Sequence, residues 1–118
     1  MRELDASTFD AALAGTAVVV DFWAPWCKPC RAVDTVLEQL ESEGDGRVAF
    51  VKLNIDEHPE LAARYEVLSI PTVTLFTDGE PRGSVVGARP RGHFERWLAE
   101  VLPTGELDGA SVQRQPDA

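Results

Sequence analysis

Positive charge is the first shortage in this 118-residue sequence: eleven Lys and Arg stand against twenty Asp and Glu, a formal net charge of -9. So few cations cannot neutralise a phosphate backbone, which excludes nucleic acid as a partner. Long apolar runs are missing too, although 44 % of the residues are hydrophobic. No stretch comes near the ~20 residues of a membrane helix, so the reading is a chain without a membrane span. The opening residues Met1-Arg2-Glu3-Leu4-Asp5 lack the basic-then-apolar order of an export signal, and the expected compartment is the cytoplasm. Cysteine is scarce as well. Cys27 and Cys30 are too few for the framework of a small secreted domain, and a bridge between them closes too short a loop to stabilise much. Reactivity explains the pair better than stapling.

What remains is enough for one domain with a real core, expected over residues 1–102. Asp5-Ala6-Ser7-Thr8 precedes Phe9, Ala12 and Leu13, so a short first helix is expected with Ser7 or Thr8 capping it. Ala17 to Trp23 is a β-branched and aromatic run without alternation, which predicts a central parallel strand buried on both faces. From Cys30 onward Val33, Val36, Leu37 and Leu40 mark one helical face, and Arg31, Asp34, Glu38 and Glu41 the other. These acids, with Glu43, Asp56 and Glu57, read as solvated surface. Gly44-Asp45-Gly46 ends that helix; Val48 to Asn54 follows as a strand, and Pro59 to Tyr65 as a short helix. Thr72 to Thr77 and Gly83 to Val86 form a hairpin about Asp78-Gly79. A last helix from about Pro90 carries Phe94, Trp97, Leu98 and Val101 at helical spacing. Residues 103–118 are rich in Gly, Pro, Asp, Ser and Gln and read as a disordered tail. The order predicts an α/β fold, a central mixed sheet with helices on both faces and a βαβ unit in its first half.

Trp26-Cys27-Lys28-Pro29-Cys30 lies where the buried strand meets the amphipathic helix. A helix N-terminus offers unpaired N–H groups and partial positive charge, which favour a thiolate at Cys27. One turn on, Cys30 is tucked in and close enough to attack the Cys27 sulfur, so the pair can exchange electrons with another disulfide. The competing reading, half of a metal site completed by His58 and His93, fails on spacing, and no metal is expected. Asp21 interrupts an otherwise apolar strand. On its residues alone it is either a buried proton acceptor or a strand acid satisfied by a backbone donor.

Val20-Asp21-Phe22-Trp23-Ala24-Pro25-Trp26-Cys27-Lys28-Pro29-Cys30, with Lys52-Leu53-Asn54-Ile55-Asp56 and Ile70-Pro71-Thr72, resembles the thioredoxin family from about Ser7 to Leu102. The resemblance implies the thioredoxin fold and reduction of protein disulfides by dithiol exchange through Cys27 and Cys30. It makes Asp21 the acceptor of the Cys30 proton, with Lys52 modulating its charge. It makes Pro71 a cis proline facing the cysteines, which frees the backbone of Ile70 to pair with an extended client. Trp26, Ile55, Ile70, Val86, Gly87 and Ala88 become a docking rim, and Lys28 and Pro29 tune the acidity of the sulfurs. No bound cofactor is implied. Electrons come from NADPH through a thioredoxin reductase. The implied clients are ribonucleotide reductase, peroxiredoxins and methionine sulfoxide reductase, and the implied state is a monomer. Two rival functions share the fold: a binding module without turnover, and a more oxidising oxidase or isomerase. The chain departs from the pattern at Lys28, where glycine is commonest, and at Thr35, where the family carries a kinking proline and a straighter helix is expected here. With about five residues before the first helix, the family's edge strand should be short or absent.

Overall fold

Val18–Trp23 (β2) forms the middle of a five-stranded sheet, which is why its pattern does not alternate: both faces are covered. The structure, a computed structural model, describes residues 1–15 and 17–102; the tail expected over 103–118 lies outside them. The other elements are β1 (Arg2–Glu3), α1 (Phe9–Leu13), α2 (Lys28–Glu43), β3 (Ala49–Asn54), α3 (Pro59–Arg64), β4 (Thr72–Thr77), β5 (Glu80–Val86) and α4 (Arg91–Val101). Sheet order is β1-β3-β2-β4-β5. β2 runs parallel to β3, with Asp21 beside Lys52, and antiparallel to β4, with Asp21 beside Val73. The edge strand is short, two residues paired with Val51 and Lys52.

The sheet separates two apolar layers. Val19 of β2 joins Val33 and Leu37 of α2, Val73 and Leu75 of β4, and Phe94 and Leu98 of α4. Val18, Val20 and Phe22 face the other way and pack with Phe9 and Leu13 of α1, Leu61 of α3, and Phe76. Strand alternation therefore puts Asp21, in phase with Val19, on the face that α2 covers.

Local chemistry sets the element ends. Thr8 occupies the α1 cap position but makes no side-chain cap bond. Asp5 does the capping work one turn earlier, its Oδ1 accepting from the N–H of Ser7 (2.9 Å) and Thr8 (3.0 Å). The expected Ser7 or Thr8 cap gives way because residues 6–8 form a turn whose donors open toward the upstream carboxylate. α2 begins with Pro29 in its first turn and runs unbroken through Thr35, whose hydroxyl donates to the Arg31 carbonyl at 3.1 Å. Asp78 and Gly79 both take positive φ (53° and 81°), the conformation that a two-residue hairpin turn requires. No helix among the described residues is long and apolar enough to cross a membrane.

Candidate active site

After β2 the chain turns through Ala24-Pro25-Trp26, and the Cys27 N–H donates to the Ala24 carbonyl at 3.1 Å. Cys27 is the N-cap of α2: its backbone is extended (φ -89°, ψ 100°), and its sulfur accepts from the Cys30 N–H at 3.2 Å. A thiolate at that atom would receive both this hydrogen bond and the positive end of a 16-residue helix. Cys27 and Cys30 are joined as a disulfide with Cα atoms 5.3 Å apart. In this oxidised state Cys27 is 4 % exposed and Cys30 1 %, so the nucleophile is far less open than its sequence position suggests. The cause is packing: Ala24, Trp23, Ile55 and Ile70 close around the sulfurs.

The Ile70-Pro71 peptide bond is cis. Ile70 packs against the cysteines, and the Pro71 carbonyl accepts from the Gly87 N–H at 2.9 Å. Gly87 sits at φ +100°, where a side chain would be strained, just past Val86, the β5 partner of Thr72. Among the described residues, neither the N–H nor the C=O of Ile70 makes a backbone hydrogen bond. Trp26 is 66 % exposed, with its indole N–H bonded to Asp56 Oδ2 at 2.9 Å, and Asp56 adjoins Ile55. Ile55 and Ile70 thus pack against the cysteines, Trp26 immediately precedes Cys27, and Val86 and Gly87 lie beside Thr72 and Pro71; Ala88 is exposed. Leu68, 95 % exposed two residues before Ile70, escaped the sequence reading because a lone leucine between Val67 and Ser69 looks like core. Lys28 and Pro29 are exposed between the sulfurs. His58 caps α3 and His93 lies in α4, in separate parts of the fold.

Asp21 is fully buried, and its carboxyl receives no N–H or O–H donor among the described residues; its side-chain partner is the carboxyl of Asp34. This removes the reading in which a backbone donor satisfies it. Burial above all, then the neighbouring Asp34 carboxyl, push its pKa up to about 9 against a smaller opposing pull from Lys52. Lys52 itself is bonded elsewhere, to Asp34 Oδ2 at 3.0 Å, with its ammonium 4.2 Å from the centre of the Trp23 ring. Asp34 was expected on the solvated face of α2. It is instead largely buried, with a side chain only 17 % exposed, because four residues past Cys30 it falls on the turn directly beneath the disulfide.

A concavity of about 420 Å³ lies at the far end of α2, lined by Leu40, Phe50, Leu98 and Leu102. None of the residues above lines it. Trp26, Leu68 and Val86 are large apolar side chains left exposed, the kind of surface that docks a protein.

Comparison with known proteins points the same way. The sequence model described as Thioredoxin matches residues 1–100. A thioredoxin of Staphylococcus epidermidis is 48 % identical over 96 residues, spanning 81 % of this chain and 88 % of the relative. One from Staphylococcus haemolyticus is 47 % identical over 96 residues, with the same two shares of 81 % and 88 %. One from Staphylococcus aureus is 46 % identical over 94 residues, covering 80 % and 86 %.

Proposed function

This chain belongs to the thioredoxin family and is a thiol-disulfide oxidoreductase that reduces protein disulfides, and from that premise we propose how its residues divide the work. Reduced Cys27 is the nucleophile. It attacks a client disulfide and forms a mixed disulfide; Asp21 takes the proton of Cys30, and the Cys30 thiolate displaces the client from Cys27. Lys52 modulates the charge on Asp21. The cis Pro71 orients Ile70, whose free backbone pairs with an extended client segment, while Trp26, Ile55, Val86, Gly87 and Ala88 form the docking rim. The observation that carries this reading is the Cys27 sulfur at the helix cap, already joined to Cys30.

The spent disulfide is regenerated with NADPH electrons through a thioredoxin reductase. Ribonucleotide reductase, peroxiredoxins and methionine sulfoxide reductase are the client classes proposed, for a monomer working in the cytoplasm. The test is reduction of insulin with dithiothreitol as electron source. Catalysis well above the dithiothreitol rate is expected, and a rate equal to it would remove the assignment.

Two variants probe the site. Lys28→Gly removes a cation beside Cys27, so the dithiol loses some stabilisation and the potential should fall. For an exposed charge worth less than ~1 kcal/mol, the fall stays within about 20 mV, readable by equilibration against a dithiothreitol redox buffer. A rise in potential, or a much larger fall, would contradict this account of Lys28. Trp26→Ala should raise KM for insulin about tenfold, as expected for an exposed aromatic anchor worth ~1.4 kcal/mol. The change toward a small-molecule disulfide should be much weaker, and equal losses on both substrates would count against docking by Trp26.

A further inference from the structure

A largely buried ion pair, one helical turn beyond Cys30, joins Lys52 to Asp34, a residue outside the mechanism above. Lys52 and Asp21 are register neighbours on β3 and β2, so their side chains leave the sheet on the same face. An ammonium there could pair with the buried carboxylate that is its register neighbour. It does not: Lys52 Nζ bonds Asp34 Oδ2 at 3.0 Å, and Asp21 receives no hydrogen bond from it. Asp34 reaches this place from α2, one turn beyond Cys30. Its second oxygen, Oδ1, is buried and meets no donor apart from the neighbouring Asp21 carboxyl in its protonated form, so Lys52 is the one cation that Asp34 holds among the described residues. The Trp23 ring lies under the ammonium, a cation–π contact that also favours this position of Lys52.

We propose that Asp34 is a positioning residue for the buried acid: by holding the Lys52 ammonium it prevents a Lys52–Asp21 ion pair and leaves Asp21 the stronger base for the Cys30 proton. The inference rests on the reading of Asp21 as proton acceptor. In that step the Cys30 thiol gives its proton to the Asp21 carboxylate. The Cys30 thiolate then forms a bond to the Cys27 sulfur, and the bond between Cys27 and the client sulfur breaks, the client leaving as a thiolate with the electron pair. The proton remains on Asp21 in the oxidised protein, in keeping with a carboxyl that burial keeps neutral. A paired Lys52 would oppose that transfer by favouring the ionised acid.

Three charged or titratable groups act on Asp21. Lys52 comes from β3, Asp34 from α2, and Glu3 from β1, where its Oε2 accepts from the Trp23 indole (3.2 Å) and the Asn54 N–H (3.0 Å). β4 supplies Val73, and α4 supplies Phe94 and Leu98 to the same core. Asp34 and Lys52 are thus the pair whose rearrangement can change the charge that Asp21 meets.

The decisive measurement is the 13C NMR titration of the Asp21 carboxyl in the oxidised protein, for wild type, D34A and D34E, each with and without K52M. D34A should lower the Asp21 midpoint by about one pH unit or more, and D34E should restore it. D34A also removes the direct push of the Asp34 carboxyl on Asp21, and K52M should remove more than half of the D34A shift because the part routed through Lys52 is the larger. The pH profile of mixed-disulfide resolution should move with the midpoint. An unmoved midpoint in D34A, no restoration in D34E, or an undiminished shift in the K52M background would overturn the proposal. The titration is read on the resting disulfide, so a chain inactive toward insulin would defeat the functional reading without deciding this one.

Discussion

Cys30→Ser is expected to stop turnover and to leave clients covalently held on Cys27. The helix cap and the Cys30 N–H that stabilise a thiolate at Cys27 are backbone features and survive the substitution, so capture proceeds. What disappears is the one sulfur placed 5.3 Å away, Cα to Cα, to displace the captured client. Insulin reduction should fall to the rate of dithiothreitol alone. Incubation with an oxidised client should give a complex visible on a non-reducing gel and released by excess dithiothreitol. Cys27→Ser should be equally inactive but give no complex, and multiple turnover by Cys30→Ser would show that Cys30 is not the resolving thiol.

Asp21→Ala should make the oxidised protein more stable while slowing it. A buried acid without hydrogen-bond donors is held against its own desolvation, so removing it stabilises the fold at neutral pH by about 1–4 kcal/mol. The pH dependence identifies the cause. Because the folded pKa is raised, to about 9, the folded state binds the proton more tightly than the unfolded chain does. Stability from this group is therefore complete below the unfolded value near pH 4, and is lost progressively as pH rises toward the folded value. Urea melts of wild type should show that decline between about pH 4 and 9, and Asp21→Ala should flatten it, its advantage growing with pH. Resolution of the mixed disulfide should slow about ten- to a hundredfold, the lower reach of general acid–base catalysis. A variant less stable than wild type at pH 8 would mean that Asp21 is satisfied by contacts the structure lacks.

How much of this was legible in the sequence depended on whether a signal was local. β2 and α2 announce themselves through an unbroken apolar run and a helical face, and the cysteines sit at their junction, so strand, helix and chemistry could be placed together. Asp34 could not be found in that way. On a helical wheel it groups with Glu38 and Glu41, which are indeed exposed. Its partner there is Lys52, eighteen residues on in another element. Spacing from Cys30 was the available clue, and it gains meaning only once the sheet is known to lie beneath that turn. The Asp5 cap and Leu68 were missed for a related reason: turn geometry decides which oxygen meets the free N–H groups and which apolar side chain points outward.

The surface around the disulfide draws on four stretches of chain that lie far apart in sequence, near residues 26, 55, 70 and 87, and only the assembled sheet brings them to one edge. No peptide cut from this chain can carry that edge, even one that keeps both sulfurs. A melted or half-synthesised molecule offers an ordinary dithiol with no address, and electron delivery to chosen partners begins only when the architecture closes.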